Sequence, residues 1–185
     1  MGFQTRELIF IALMAALLFV VNFSIGEGII VATGIPGASG FITGITNVLF
    51  ITFVALNLRK FGAVSLLYLV YGIIALPTHM AGGPPGFILK IPVLVLIALS
   101  YEIIIYFARF KKIGFIIGLP IFVIFGMMLY LGTYYLLGMP EFNKMYGAAL
   151  TLTIVFTIFG YLGLWLGFLL YNRLKDKRII RQITN

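Results

Sequence analysis

The chain has 185 residues, of which 62% are hydrophobic and only 10% are charged. Its mean hydropathy of +1.16 lies far from the composition of a soluble globular domain and excludes that class. There is no cysteine, which excludes disulfides and thiolate metal sites. The net charge is +8, but the basic residues gather at the ends of apolar segments, so we interpret them as a topology signal and expect no nucleic-acid partner.

Continuous apolar runs indicate that residues 1–185 form a single integral membrane domain in the lipid bilayer. A helix needs roughly 20 apolar residues to cross the hydrocarbon core, and the runs are long and unbroken, unlike the short alternations of a membrane β-barrel. We therefore predict an all-α membrane protein, a bundle of six transmembrane helices. The predicted spans are about 8–24, 40–58, 61–77, 86–108, 114–138 and 147–171.

The basic residues predict the orientation of these spans. Eleven of the thirteen Lys and Arg residues lie before the first span, in the turns NLRKFG and RFKKIG, or in the C-terminal tail. Cytoplasmic connections carry such an excess, so we predict that both termini are cytoplasmic in a multi-pass protein of the cell membrane. The connections on the other side are SIGEGIIVATGIPGASG, PTHMAGGPPG and GMPEFNKMYG, which we predict to be long outer loops beside a ligand site.

Polar residues within or beside the outer halves of the spans are the candidate ligand groups, because such residues are costly in a membrane and often functional. Thr43 and Asn47 share one face of the second span at positions i and i+4, and Asn22 lies near the outer end of the first. Interhelical hydrogen bonding uses the same residue types and stays an open alternative. The candidate substrate-binding residues are Asn22, Glu27, Thr43, Asn47, His79, Lys90 and Tyr134.

Four of these candidates have specific alternatives. Glu27 in the first outer loop either contacts ligand or faces water. His79 is the only histidine and cannot make a metal site alone, so it either bonds ligand or packs at the interface. Lys90 lies near the outer end of the fourth span, where its ammonium group either recognises an anion or reaches the lipid headgroups. Tyr134 either stacks on a planar ligand or belongs to an aromatic belt.

Three other carboxylates lie toward the predicted cytoplasmic side: Glu7, Glu102 and Asp176. Glu102 shares a helical face with Tyr106 and Arg109, and we expect it to join a structural network there. A proton-coupling role is the sharper alternative for Glu102. Glu7 lies in the basic N-terminal region, where we expect a solvated side chain.

Catalytic signatures are missing from the sequence. It has no Walker A motif, so the chain cannot itself hydrolyse ATP by that route, and no H-E-x-x-H or G-x-S-x-G motif. We therefore expect no enzymatic activity, no cofactor and no metal site.

Small residues spaced four apart occur in three spans and let helix backbones approach closely. The pairs are Ala12 and Ala16, Gly114 and Gly118, and Gly163 and Gly167.

Six short helices, cytoplasmic termini, elaborated outer loops and the A-x-x-x-A pair within RELIFIALMAALLFVVNF resemble the substrate-binding S component of energy-coupling factor (ECF) vitamin transporters. The likeness covers the whole chain. It implies a high-affinity binding subunit that takes up a small, polar or weakly anionic vitamin or vitamin precursor near the outer surface. It also implies a T-component membrane protein and ATPase subunits as partners, with Ala12, Ala15 and Ala16 at the contact with the T component.

Two other functions stay open. A stand-alone ion- or proton-coupled small-molecule transporter would need a titrating carboxylate in the membrane, for which Glu102 is the candidate. A non-transporting membrane assembly subunit would bind no small ligand.

Overall fold

The computed structural model describes residues 2–33, 38–79, 85–138, 142–175 and 177, without the side chains of residues 27–33, 38–41 and 144. This part of the chain is all-helical and contains no β-strand, which confirms the predicted class and the number of helices. The helices are α1 (Thr5–Thr33), α2 (Ala38–Leu58), α3 (Ala63–Ala75), α4 (Lys90–Phe107), α5 (Lys112–Leu136) and α6 (Phe142–Leu174).

Four of the helices are long and apolar enough to cross a membrane, which indicates a membrane protein. These candidate spans are Thr5–Gly26, Lys90–Phe107, Lys112–Leu136 and Met145–Leu174. The apolar stretches Ile42–Leu58 of α2 and Ala63–Ala75 of α3 are shorter. With 13 residues, α3 is only about 20 Å long, whereas the hydrocarbon core of a bilayer is about 30 Å thick.

The six helices pack in a closed ring. Its order is α1, α2, α6, α5, α4 and α3, with α3 returning to α1, and α2 also contacts α3. The core inside the ring contains fully buried side chains such as Ile11, Ile51, Leu67 and Phe115. Large apolar side chains also cover the outside of the ring, as expected for helices that are apolar all round in lipid.

The pair Gly163 and Gly167 lets α6 pack directly on the backbone of α2. A Cβ atom at Gly163 would overlap the carbonyl oxygen of Ile45, and one at Gly167 would lie 2.9 Å from the Cβ of Thr52. The sequence prediction that this pair permits a close helix approach is confirmed.

Two features of α5 depend on neighbouring helices. A Cβ atom at Gly118 would lie 2.9 Å from the ring of Tyr101 on α4. Pro120 lies inside α5 and has no N–H, which leaves the carbonyl of Ile116 without its helical donor. The hydroxyl of Tyr161 on α6 donates to that carbonyl at 3.1 Å, so α6 satisfies the backbone group that the proline frees.

The connections on the predicted cytoplasmic side have the predicted lengths. On the predicted outer side, two connections are shorter than predicted. The basic turns at residues 59–62 and 108–111 are short, as predicted. The prediction of a long first outer loop is wrong, because α1 continues as a helix through Gly26 and Gly28 to Thr33. A glycine costs a helix about 1 kcal/mol relative to alanine, and α1 nevertheless continues as a helix, which satisfies backbone groups within the segment. The last outer connection is also shorter than predicted, since α6 begins at Phe142.

Candidate binding site

Five polar side chains from three helices meet inside the bundle and form the interior polar cluster: Asn22 of α1, Thr46 and Asn47 of α2, and Tyr68 and Tyr71 of α3. Asn22 is fully buried, donates from Nδ2 to the Tyr71 hydroxyl at 3.3 Å, and accepts at Oδ1 from the Thr46 hydroxyl. The hydroxyl of Tyr68 donates to Oδ1 of Asn47 at 3.2 Å. These bonds join α1, α2 and α3 through groups that lipid cannot satisfy.

Aromatic side chains of α4 and α5 line the same region. The centre of the Tyr68 ring lies 6.0 Å from the centre of the Tyr71 ring and 6.3 Å from the centre of the Phe122 ring. The centres of the Phe122 and Tyr101 rings are 5.3 Å apart. The region therefore combines amide and hydroxyl groups with aromatic faces, a combination suited to a small polar ligand that contains a planar ring.

The structure brings several predicted site residues into or next to this cluster. Asn22 and Asn47 are members of it. The amide of Asn47 donates back to the carbonyl oxygen of Thr43 at 2.6 Å, so this predicted i, i+4 pair is bonded within α2. Tyr134 of α5 is buried.

Three predicted residues, His79, Glu27 and Lys90, are not brought to the cluster by the described contacts, and Lys90 bonds instead to the Thr78 and Ala75 carbonyls. His79 is exposed in the turn that follows α3. The side chain of Glu27 lies outside the described residues, although its backbone belongs to α1.

The carboxylate of Glu102 caps the N-terminus of α3. Its side chain is only 1% exposed; Oε1 accepts from the Val64 N–H at 3.0 Å, and Oε2 accepts from the N–H and hydroxyl of Ser65 at 3.3 and 2.6 Å. Gly62 at the N-cap position has no side chain to offer, so α4 supplies the acceptor that these first N–H groups need. A structural network around Glu102 is confirmed, but the predicted partners Tyr106 and Arg109 are wrong.

Lys90 bonds to the backbone at and just beyond the opposite end of α3. Its side chain is 1% exposed, and Nζ donates to the carbonyl oxygens of Thr78 at 2.8 Å and Ala75 at 3.5 Å. The last carbonyls of a helix have no intrahelical donor, and a cation complements the negative end of the helix dipole. This burial does not fit an ammonium group that reaches the lipid headgroups. Anion recognition by Lys90 stays a prediction.

The spacing of the two charged residues along α4 matches the length of α3. About 18 Å of helical rise separates Lys90 from Glu102, and α3 is about 20 Å long. Because the two helices are antiparallel, each charge meets the end of α3 whose dipole it complements. One neighbouring helix, α4, thus bonds to the backbone at both ends of α3.

Glu7 is not solvated, and that expectation is wrong. It is 5% exposed, and its Oε1 and Oε2 both lie 2.8 Å from Nζ of Lys60. Oε2 also accepts from the N–H of Gln4 at 2.8 Å. This salt bridge connects the start of α1 to the turn between α2 and α3. Nζ of Lys60 also lies 5.9 Å from the centre of the Phe3 ring.

The three small residues of α1 differ in burial, with Ala12 and Ala16 on one face of the helix and Ala15 turned toward the core. Ala15 is completely buried in the core, whereas Ala12 is exposed and Ala16 is half-buried. In the structure, Ala12 and Ala16 are thus the members of this set that a neighbouring protein can contact.

Sequence reasoning missed Thr46, Tyr68 and Tyr71 as site residues. A usable signal was present, since a tyrosine inside an apolar span carries a hydroxyl that must find a hydrogen-bond partner. Tyr68 and Tyr71 are spaced i, i+3 and therefore lie on one side of α3.

No protein-family model, no curated protein and no solved structure matches this chain.

Proposed function

We propose that this chain is the membrane-embedded binding subunit for uptake of a small vitamin or vitamin precursor, similar to an ECF S component. The interior polar cluster carries the proposal. It gathers amide and hydroxyl groups from α1, α2 and α3 beside aromatic rings, inside an otherwise apolar bundle. Polar groups in a membrane interior are costly, and a binding role explains why several of them converge.

We propose that all six helices cross the cell membrane, with both termini in the cytoplasm. The positions of Arg59 and Lys60 in one short turn, and of Arg109 and Lys111 in the other, support this orientation. About 16 Å of helical rise separates Asn47 from Leu58 at the end of α2, next to the first of these turns. In this orientation Asn47 lies about halfway across a hydrocarbon core that is about 30 Å thick, and we propose that the ligand reaches the cluster from the outer side.

A separate T-component membrane protein and ATPase subunits are proposed as partners. In support, Ala12 is exposed on α1 and Ala16 is half-buried, so a second helix can approach closely at these small side chains. Ala15 supports the core instead, since it is completely buried.

The alternative of a proton-coupled carrier has less support. It needs a carboxylate that is free to exchange protons during transport, whereas Glu102 is held by two backbone N–H groups and one hydroxyl of α3. Its contacts are those of a helix cap.

The cargo we propose is a small, polar molecule with a planar ring. The cluster presents amides and hydroxyls, and the buried ammonium group of Lys90 already bonds to the Thr78 carbonyl. Hydrogen bonding and ring stacking therefore account for recognition better than charge pairing does.

A thermal-shift screen of the purified chain in detergent against a panel of vitamins and their precursors tests this function. A true ligand at one hundred times its dissociation constant should stabilise the protein by about 2.7 kcal/mol. Tyr71→Phe removes one cluster hydroxyl and should reduce ligand stabilisation by about 1 kcal/mol.

Tyr161→Phe is the matched control for this screen, because the same substitution removes a hydroxyl that bonds the Ile116 carbonyl outside the cluster. It should leave the ligand-induced shift unchanged. A panel without any stabilising compound would contradict the binding function and favour an assembly subunit.

A further inference from the structure

Three cations from three parts of the chain gather around the last turns of α6. Arg59 of the turn between α2 and α3 donates from Nη2 to the hydroxyl of Tyr171 at 3.3 Å. Lys112 at the start of α5 places Nζ 5.7 Å from the centre of the Phe168 ring. Phe168, Tyr171 and Lys175 are spaced i, i+3 and i+7 and so share one face of α6. We define Arg59, Lys112 and Lys175 as the cationic cluster.

Aromatic side chains hold two of these cations in place. Lys112 is within the distance at which a cation is attracted to an aromatic face, and Arg59 is fixed by the Tyr171 hydroxyl. The side chains of Arg59, Lys112 and Lys175 are nevertheless exposed, so their remaining N–H donors are accessible.

Acidic groups within the described side chains do not neutralise the cationic cluster. Those groups are Glu7 and Glu102, and both are buried in other contacts: Glu7 is bridged by Lys60, and Glu102 caps α3. Asp176 follows Lys175 in the sequence and lies outside the described residues. The cluster therefore presents several positive charges at the end of a membrane-crossing helix, which is the level of the lipid phosphates.

We propose that Arg59, Lys112 and Lys175 bind the phosphate group of an anionic membrane lipid. Guanidinium and ammonium groups both recognise phosphate, and the arginine fork does so with two parallel hydrogen bonds. The rings of Phe168 and Tyr171, both half-buried, lie beside the cations where the upper part of an acyl chain would pass. This site is separate from the interior polar cluster and is independent of which cargo the chain binds.

The test compares the purified chain in two lipid nanodiscs, one of phosphatidylcholine and one of equimolar phosphatidylcholine and phosphatidylglycerol. We expect phosphatidylglycerol to raise the unfolding temperature of the wild type. The triple variant Arg59→Gln, Lys112→Gln, Lys175→Gln should lose most of this increase. Native mass spectrometry should show retention of phosphatidylglycerol falling about fivefold for each cation removed.

The matched control is the triple variant Arg109→Gln, Lys111→Gln, Lys177→Gln. It removes the same charge from exposed residues near the cationic cluster, and Arg109 has a left-handed backbone (φ 51°) like that of Arg59 (φ 47°). The control variant should keep most of the increase in unfolding temperature that phosphatidylglycerol produces in the wild type. Because each variant is compared with itself in the two membranes, a general loss of stability does not affect the result.

Three outcomes would overturn the proposal. The first is a wild type that responds equally to both membranes. The second is a control triple variant that loses as much of the phosphatidylglycerol-induced increase in unfolding temperature as the cluster triple variant does. That result would indicate that the lipid responds to the overall charge of the protein. The third is equal stabilisation of the detergent-solubilised chain by inorganic phosphate, which would assign the cluster to a soluble anion.

Discussion

Replacing Gly163 with alanine should lower the free energy of unfolding by about 2–3 kcal/mol, the upper range for overpacking a well-packed interior. The added Cβ would overlap the carbonyl oxygen of Ile45, which is backbone and cannot rotate away. The α2–α6 contact would have to open along its length, and Gly167, which packs on Thr52 one turn later, would lose its contact as well. Unfolding of the purified protein in detergent, followed by its helical circular dichroism signal, measures the loss.

Gly147→Ala is the matched control because Gly147 lies in the same helix and has no atom within 4 Å of the position of an added Cβ. Alanine favours a helix over glycine by about 1 kcal/mol, so this variant should be as stable as the wild type or slightly more stable. Equal stabilities of the Gly163 and Gly147 variants would mean that the direct packing of α6 on α2 is wrong.

Replacing Glu102 with leucine should cost about 3 kcal/mol. It leaves the N–H groups of Val64 and Ser65 without an acceptor in a buried site, and each such group costs about 1–3 kcal/mol when unsatisfied. Glu102→Gln keeps one carbonyl oxygen at the cap and should cost only about 1 kcal/mol. Unfolding in detergent ranks the two variants against the wild type.

The same pair of variants separates a structural Glu102 from a proton-coupling one. If the residue is a cap, uptake by Glu102→Gln should follow the amount of folded protein in the membrane. If Glu102→Gln were as stable as the wild type yet inactive in uptake, the carboxylate would have a role in proton coupling and the cap would not explain it.

Hydropathy and charge were sufficient to predict the number and order of the helices and the short basic turns. The glycine pair at Gly163 and Gly167 could also be predicted, because spacing alone places both on one helix face. The end of α1 could not, since local glycine propensity favours a break and the chain instead continues as a helix to Thr33.

The roles of Lys90 and Glu102 could not be predicted either, for a different reason. Their partners are backbone groups of another helix, and no periodicity within α4 indicates which neighbour lies beside it. Asn22 and Asn47 were found from the cost of polar groups in membranes, but that cost applies equally to Tyr68 and Tyr71. Which polar residues meet depends on helix packing, and only the structure supplies that.

The central claim, a binding subunit that depends on a membrane partner, is tested most directly by separating binding from uptake with Ala12→Trp. This variant should keep the ligand-induced thermal shift of the isolated chain and lose uptake in cells that contain the partner subunits. Ile158→Trp, at a position of α6 that is 61% exposed, should retain both activities. If Ala12→Trp transported as well as the wild type, or lost ligand binding together with uptake, the account would be contradicted.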